Sequence, residues 1–231
     1  MMKQYASLKV FYSLAGRLMP WFGWAFALLG ISGLCWGLFL APTDAVQGEA
    51  YRIMFVHVPS AWMSLMIYAV MTLCAMATLI RRPKIAGYWL LGSSRLGASF
   101  TFLTLFTGSL WGRPTWGAWW VWDARLTSEL LLLFIYLGII ALESAIPEKR
   151  KAARVVGMLT VVGSVNLPII KFSVDWWTTL HQPASLFRTG GSAIHPMMLT
   201  ALLLMAASFT CYYFWLVLWR VRISIREKEQ P

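Results

Sequence analysis

Long apolar stretches, each about long enough to cross a lipid bilayer as a helix, dominate this sequence. A spanning helix needs about 20 mostly apolar residues. Hydrophobic residues form 59% of the 231-residue chain and charged residues only 13%, a balance that soluble domains do not show. Because helices satisfy their own backbone groups in hydrocarbon, we predict an all-α membrane protein, residues 1–231 forming one domain of six transmembrane helices. The six stretches are residues 21–41, 55–80, 88–111, 127–145, 155–172 and 197–219.

The positive charges indicate how these helices are oriented. With the N-terminus placed in the cytoplasm, the inner segments carry 14 Lys and Arg residues and the outer loops carry five, while Arg95 is assigned to neither side. Positive residues concentrate on the cytoplasmic side of membrane proteins, so we expect both termini in the cytoplasm. The net charge of +11 then reflects topology, and the expected surroundings are a lipid bilayer and not a nucleic acid.

Two segments depart from the pattern of straight spanning helices. Pro168 lies inside the fifth stretch, lacks an N–H group and predicts a kink there. Residues 3–19 predict a separate short helix on the inner membrane surface. Its apolar face would carry Leu8, Phe11, Tyr12, Ala15 and Leu18.

The connection between the third and fourth stretches, residues 112–126, is unusually rich in tryptophan. The 15 residues from Trp111 to Arg125 hold five of the 14 tryptophans in the chain. If residues 114–126 form a helix opened by Pro114, then Trp116, Trp119 and Trp120 share one face. Such a surface suits a large planar ligand. The alternative is an aromatic belt at the level of the lipid headgroups.

All three histidines, His57, His181 and His195, are expected on the same outer side as this segment. Two histidines from separate loops can ligate the iron of a haem from opposite faces. A zinc site would normally need a third ligand, and a single histidine can also simply cap a helix. On spacing alone, His181 and His195 are equally eligible as the second ligand.

Charged residues near the segment could meet the carboxylates of such a ligand. The outer arginines Arg52, Arg113, Arg125 and Arg188 can pair with haem propionates, although lipid headgroups are an alternative for Arg113 and Arg188. Asp123 is expected to cap the fourth helix or orient Arg125. Glu129 is a candidate buried acid with Arg125 as partner. No nucleophile elbow or phosphate-binding loop occurs, so we expect a binding protein and not an enzyme.

Several long motifs resemble one known family. The run from Trp116 to Leu130, WGAWWVWDARLTSEL, resembles the tryptophan-rich WWD signature of the haem-handling membrane proteins. Its ending, WDARLTSE, is similar to the C-protein family of bacterial cytochrome c maturation. Three further stretches agree with that family: Tyr51–Pro59, Asn166–Ile170 and Trp176–Gln182. The resemblance covers roughly residues 20–220.

The resemblance implies a haem-presenting subunit in the bacterial inner membrane, holding haem b at the periplasmic surface. It implies His57 and His181 as axial iron ligands, with His195 in a secondary place. The implied contacts around the macrocycle are Trp116, Trp119, Trp120, Trp122, Asp123, Arg125 and Arg52. The implied partners are a periplasmic haem chaperone (the E protein), the A and B subunits of an ATP-binding-cassette complex, and the small membrane protein D.

Two other function classes fit the residues less well. A b-type cytochrome that reduces quinone usually stacks two haems between histidines inside its helices, whereas no histidine is expected at mid-membrane here. A permease for a small solute would place polar groups at the midplane, where Asn166 and a few threonines are the main candidates. A haem absorption band in the purified protein distinguishes these classes.

Overall fold

Seven α-helices make up most of the described part of the computed structural model, which covers residues 2–81, 83–181 and 194–229. A π-helical turn, Trp36–Leu40, extends the first helix, and a 3-10 helix, Glu49–Ile53, precedes the second. The only β-structure among these residues is an isolated bridge between Asp44 and Gly48. The helices are α1 Met2–Cys35, α2 Met54–Ile80, α3 Lys84–Trp116, α4 Ala124–Ala145, α5 Lys149–Gly163, α6 Asn166–Trp176 and α7 Pro196–Glu229.

Five helical segments of the described chain are long and apolar enough to cross a membrane. They are Leu8–Leu40, Glu49–Ile80, Ala124–Ala145, Lys149–Trp176 and Pro196–Glu227. The predicted all-α membrane fold is therefore confirmed. The predicted third span corresponds to α3, which has 33 residues but carries Arg95, Arg113 and many small polar residues. The count of six spans stays a prediction.

The N-terminal segment does not form the separate helix that its amphipathic pattern predicts. Residues 3–19 belong to α1, which continues without a break through Pro20 to Cys35. Most of the apolar face packs on other helices: Leu8 and Ala15 are buried whereas Leu18 is exposed. The Arg222 guanidinium of α7 lies 4.3 Å from the centre of the Tyr12 ring, and Phe11 packs edge-on against Trp89 of α3. Tertiary contact with α7 and α3 thus satisfies most of the face that suggested a membrane-surface helix.

The predicted interruption near Pro168 is confirmed and divides the fifth stretch into α5 and α6. The break lies at Ser164 and Val165, one turn before the proline. This position follows from proline geometry, because Pro168 cannot donate to the carbonyl of Ser164 and its ring crowds that group. Leu167 donates its N–H to that carbonyl instead, at 3.1 Å. Asn166, at the start of α6, donates to the Ser128 carbonyl of α4 at 2.9 Å.

Three buried tyrosines hold the centre of the bundle together. The Tyr68 hydroxyl donates to the Thr160 carbonyl at 3.1 Å, and the Tyr136 hydroxyl donates to the Ser64 carbonyl at 2.9 Å. Tyr213 accepts a bond of 3.0 Å from the Trp89 indole. Since a buried polar group is costly without a partner, these bonds fix how α2 packs against α4 and α5, and how α3 packs against α7.

Candidate functional site

A cavity of about 380 Å³ lies at the end of the bundle where α2 and α4 begin and where α3 and α6 end. Its volume is in the range of small-molecule and cofactor sites. Apolar side chains such as Val58, Trp62 and Leu65 form its inner part. The other lining groups include four tryptophans, two histidines and several charged side chains, which makes it a candidate site for a large amphipathic ligand.

The tryptophan segment is not the helix that we expected over residues 114–126. Helix α3 continues through Pro114 to Trp116 and ends at Gly117, whose φ of 78° is left-handed. Residues 117–123 are then non-helical, and α4 begins at Ala124. Glycine adopts the left-handed conformation without a steric penalty and commonly ends helices in this way. Gly117 also donates its N–H to the Arg113 carbonyl at 3.1 Å.

The tryptophans nevertheless meet at the cavity without sharing a helical face. Trp116, Trp119 and Trp120 all line it, and so does Trp111. Trp119 is 56% exposed and stands at the cavity mouth. Trp122 is 75% exposed and does not line the cavity; its ring packs edge-on against Trp120 at 5.4 Å. The buried Trp120 indole nitrogen has no hydrogen-bond partner among the described residues.

His57 enters the cavity from the first turn of α2 and packs closely against α3. Its Nδ1 lies 3.1 Å from the Thr107 hydroxyl oxygen. The ring meets Trp111 edge-on at 5.6 Å. A side chain at position 108 would collide with it, because a Cβ on Gly108 would lie 2.9 Å from His57 Cε1. The ring is therefore held on three sides.

His181 reaches the same cavity from the segment that follows α6. Its ring centre lies 5.1 Å from that of Trp116, and its Nδ1 lies 3.6 Å from Asp123 Oδ2. Burial and the nearby Arg125 lower the pKa of His181 below its ordinary value, while Asp123 acts in the opposite direction. A lowered pKa keeps the imidazole neutral at neutral pH, which is the form that ligates a metal.

His195 does not belong to this cavity. Its side chain is exposed at the start of α7, where Nδ1 accepts a 3.3 Å bond from the Met197 N–H. The structure thus brings His57 and His181 together and places His195 apart, a choice that the spacing of the histidines left open.

The acidic residues near the segment have separate roles. Asp123 caps α4, as expected, because Oδ1 accepts a 2.7 Å bond from the Leu126 N–H. Glu129 is buried and lines the inner part of the cavity. The expected partner Arg125 interacts with Glu129 electrostatically, and the hydrogen bond to Glu129 comes from the Ser64 hydroxyl, at 2.8 Å. Arg125 lines the cavity and points one guanidinium nitrogen at the Ile170 carbonyl, at 3.4 Å.

Arg52 is a correction to the expected set, since it does not line the cavity. Its guanidinium bonds to Glu49 and to the carbonyls of Gly37 and Ala41, which fastens the 3-10 helix before α2 to the π-helical turn that extends α1. Arg113 is similarly engaged with the Gly117 carbonyl. Arg188 lies outside the described residues.

The sequence patterns did not single out several residues that line the cavity or contact its histidines. Lys171 and Asp175 stand one turn apart on α6 and line the cavity. These two charged residues stand four positions apart shortly after Pro168, and that spacing could have indicated that they share one face of a helix. Gln47 also lines the cavity and accepts a 2.8 Å bond from the Trp111 indole. Nothing in the sequence distinguishes Thr107 from the other threonines of α3, because only the packing of α3 on α2 brings it to His57.

Comparison with known proteins places the chain in a family. The model of a family described as CcmC, heme exporter protein C, matches residues 1–231. The chain belongs to this family. The heme exporter protein C of Bradyrhizobium diazoefficiens is 48% identical over 219 residues, which are 95% of this chain and 83% of the relative. That of Haemophilus influenzae is 44% identical over 226 residues, covering 97% and 92% of the two chains.

A third heme exporter protein C, from Escherichia coli strain K12, is 44% identical over 222 residues, covering 95% of this chain and 89% of the relative. A plant relative, named as a putative cytochrome c biosynthesis ccmC-like mitochondrial protein from Marchantia polymorpha, is 45% identical over 186 residues. The matched region includes nearly the whole chain in the bacterial members of the heme exporter C family, so it contains both cavity histidines and the tryptophan segment.

Proposed function

We propose that this protein binds haem b in the cavity, at the periplasmic face of the bacterial inner membrane, and presents it to a periplasmic haem chaperone during cytochrome c maturation. The observation that carries the proposal is the pairing of His57 and His181, from two different elements, in one cavity lined by tryptophans. Membership of the heme exporter protein C family supports the same ligand.

The residues present fit the chemistry of a haem. Iron takes imidazole nitrogens as axial ligands, and the described residues contain no cluster of three or more His, Cys, Asp or Glu that would suggest another metal site. The porphyrin is planar and apolar, and Trp116, Trp119 and Trp120 offer aromatic contact. The buried indole nitrogen of Trp120, which lines the cavity, lacks a hydrogen-bond partner among the described residues, as expected of a site arranged for a ligand.

The propionates would meet the two cations of the cavity wall. Arg125 and Lys171 both line the cavity, and a guanidinium can bind a carboxylate through two parallel bonds. Arg52 is bonded elsewhere, so we assign the second propionate to Lys171 in its place. The acidic side chains of the lining are Asp123, Glu129 and Asp175, which keeps the cavity from being strongly cationic when it holds no anion.

Presentation to a partner protein depends on the cavity mouth. Trp119 and Trp122 are well exposed on a segment without helical hydrogen bonds, and exposed aromatic residues are favoured at protein interfaces. We assign this rim to the docking of the haem chaperone. The A and B subunits of an ATP-binding-cassette complex and the small D protein remain the proposed membrane partners, because this sequence carries no phosphate-binding loop of its own.

The histidine count argues against the electron-transfer alternative. The chain has three histidines, too few to ligate two haems from both faces, and His195 caps α7 outside the cavity. A single exchangeable haem near the surface is better suited to delivery than to electron transfer across the bilayer.

Purified protein tests the proposal directly. We expect the detergent-solubilised protein to be red, with the spectrum of a low-spin haem held by two histidines. His57→Ala and His181→Ala should each lower haem occupancy and abolish loading of the chaperone, while His195→Ala serves as the matched control and should retain both. A double His57→Ala/His181→Ala protein that keeps the normal haem spectrum would show that the ligands are assigned wrongly.

A further inference from the structure

We infer that Thr107 and Asp123 hold the two cavity histidines in the same tautomer but give them unequal donor strength, so that His181 is the stronger axial ligand and His57 the weaker. This inference rests on the proposed function, since it concerns the haem site. It assigns a positioning role to Thr107, a residue with no role in the sequence motifs.

The tautomer of His57 follows from the hydrogen bonds of Thr107. A hydroxyl carries one proton, and the Thr107 oxygen lies 2.6 Å from the Leu103 carbonyl, which can only accept. That short bond within α3 uses the proton, as threonine commonly does in helices. The lone pairs of the oxygen then face His57 Nδ1 at 3.1 Å, so Nδ1 must carry the hydrogen and donate it.

A neutral imidazole has one N–H group, so the other nitrogen of His57, Nε2, keeps its lone pair. The ring cannot readily turn over to exchange the two nitrogens. Trp111 packs against it edge-on, and the backbone of Gly108 approaches so closely that a Cβ there would lie 2.9 Å from Cε1. Nδ1 is therefore turned to α3, and Nε2 is the nitrogen available to iron.

Asp123 orients the second histidine through its other oxygen. Oδ1 is occupied by the cap on α4, at 2.7 Å from the Leu126 N–H. Oδ2 lies 3.6 Å from His181 Nδ1, and both atoms are buried with no hydrogen-bond partner among the described residues. A carboxylate can only accept, so it favours a hydrogen on Nδ1 and again leaves Nε2 for iron. An approach of less than an ångström would complete a charge-assisted bond.

The Arg125 charge acts on both histidines, so the ligands differ through their acceptors, of which only Asp123 is charged. A carboxylate behind an imidazole raises its basicity and strengthens its bond to the metal, with the larger gain for ferric iron because of its higher charge. A threonine hydroxyl is neutral and orients His57 without that gain. The weaker bond, to His57, is then the one that an incoming ligand displaces first.

The test compares variants that alter each acceptor, using the full protein purified with haem. Thr107→Val removes the hydroxyl acceptor of His57 and leaves the ring only its hydrogen bond with the Thr104 backbone. It should weaken haem binding roughly 10-fold, the lower end for loss of a group behind a metal ligand. It should also shift the ferric spectrum towards five-coordinate high-spin haem. Thr107→Ser should restore the low-spin spectrum. Thr101→Val is the matched control, since Thr101 makes the same bond within α3, to Gly97 at 2.8 Å, but unlike Thr107 forms no hydrogen bond with a histidine among the described residues.

Asp123→Asn keeps an acceptor for the α4 cap but removes the negative charge behind His181. We expect the haem midpoint potential to rise in this variant, because ferric iron loses more stabilisation than ferrous iron. An unchanged or lower potential would contradict the proposal that His181 is the stronger ligand. The role proposed for Thr107 is contradicted if Thr107→Val keeps the wild-type spectrum or if Thr107→Ser does not restore it. It is also contradicted if Thr101→Val changes the spectrum as much as Thr107→Val does. A wild-type protein without a two-histidine spectrum would instead contradict the proposed function.

Discussion

At the scale of single residues, Arg125 shows how one side chain links the ligand chemistry to the fold. It lies in the first turn of α4, two residues after the cap Asp123, and it reaches the Ile170 carbonyl of α6. Its charge is therefore carried in the cavity wall and not at the lipid surface. A planar guanidinium in this place matches a propionate better than a lysine ammonium does.

Replacing Arg125 should affect haem binding itself. A charge-assisted bond is worth about 1.5–3 kcal/mol, so Arg125→Ala should raise the haem dissociation constant about tenfold or more. Arg125→Lys should recover only part of the loss, because lysine lacks the two-pronged geometry. Haem titration of the apoprotein measures both. Full recovery by lysine would mean that charge alone is recognised.

Replacing the tryptophans should affect delivery more than binding. Each well-placed aromatic contact contributes roughly 1 kcal/mol, and the histidine bonds to iron remain in a Trp119→Ala/Trp120→Ala protein. We expect nearly normal haem occupancy with much less covalently loaded chaperone, each measured separately. Trp21→Ala/Trp24→Ala, which removes two exposed tryptophans of α1, is the control. Unchanged haem occupancy and chaperone loading in the Trp119→Ala/Trp120→Ala protein would mean that the tryptophan segment is only an aromatic belt.

At the scale of helices, close packing at glycines determines where the site residues stand. The ring of Tyr136 on α4 lies directly against Gly97 of α3, where any Cβ would overlap it. Tyr68 of α2 lies in the same way against Gly163, the last residue of α5. These contacts set the spacing of the helices whose ends carry His57, the tryptophan segment and α6.

A methyl group at the first of these contacts should destabilise the fold. Gly97→Ala must displace the Tyr136 ring or separate α3 from α4, which typically costs about 1–3 kcal/mol. Gly138→Ala, on α4, is the matched control because nothing lies within 4 Å of its added Cβ. Thermal unfolding in detergent should show a lower midpoint for the first variant and no decrease for the second. Equal midpoints would mean that the close contact is not essential.

At the scale of the whole molecule, the two ends of the bundle differ in charge. The cavity lies where α2 and α4 begin, while Arg81, Lys84 and Arg150 lie near the opposite ends of α2, α3 and α5. Arg95, which the sequence assigned to neither side, lies 3.4 Å from Glu143 near the end of α4, and Lys149 lies 3.9 Å from the same carboxylate. Arg95 thus belongs with the positively charged end.

Cysteine labelling tests the resulting orientation. In a protein whose native cysteines are replaced by serine, cysteines at Val46 and Ala118 should react with a membrane-impermeant reagent in intact spheroplasts. Val46 is 93% exposed, so access should not limit the reaction there. Cysteines at Lys84 and Arg150 should react only after the membrane is permeabilised. The opposite pattern would reverse the orientation and place the cavity in the cytoplasm.

Local sequence patterns were sufficient to predict the class of protein and the position of its tryptophan segment. Apolar length and charge distribution are properties of contiguous residues, so five spanning segments and the break near Pro168 could be predicted from them. Local patterns were insufficient where a partner from elsewhere in the chain decides the outcome. Most of the apolar face of residues 3–19 packs on α7 and α3. The helix expected over residues 114–126 does not form, because α3 runs to Trp116 and ends at the left-handed Gly117.

Which side chains line the cavity depends on tertiary packing. His181 lines it with His57 whereas His195 does not, Arg52 bonds to Glu49 instead, Lys171 reaches the cavity, and Thr107 contacts His57. His57 and Thr107 lie on different helices, and their contact depends on how α2 packs against α3 at Gly108. No periodicity or motif encodes such a distance, because it results from the sum of side-chain contacts along both helices.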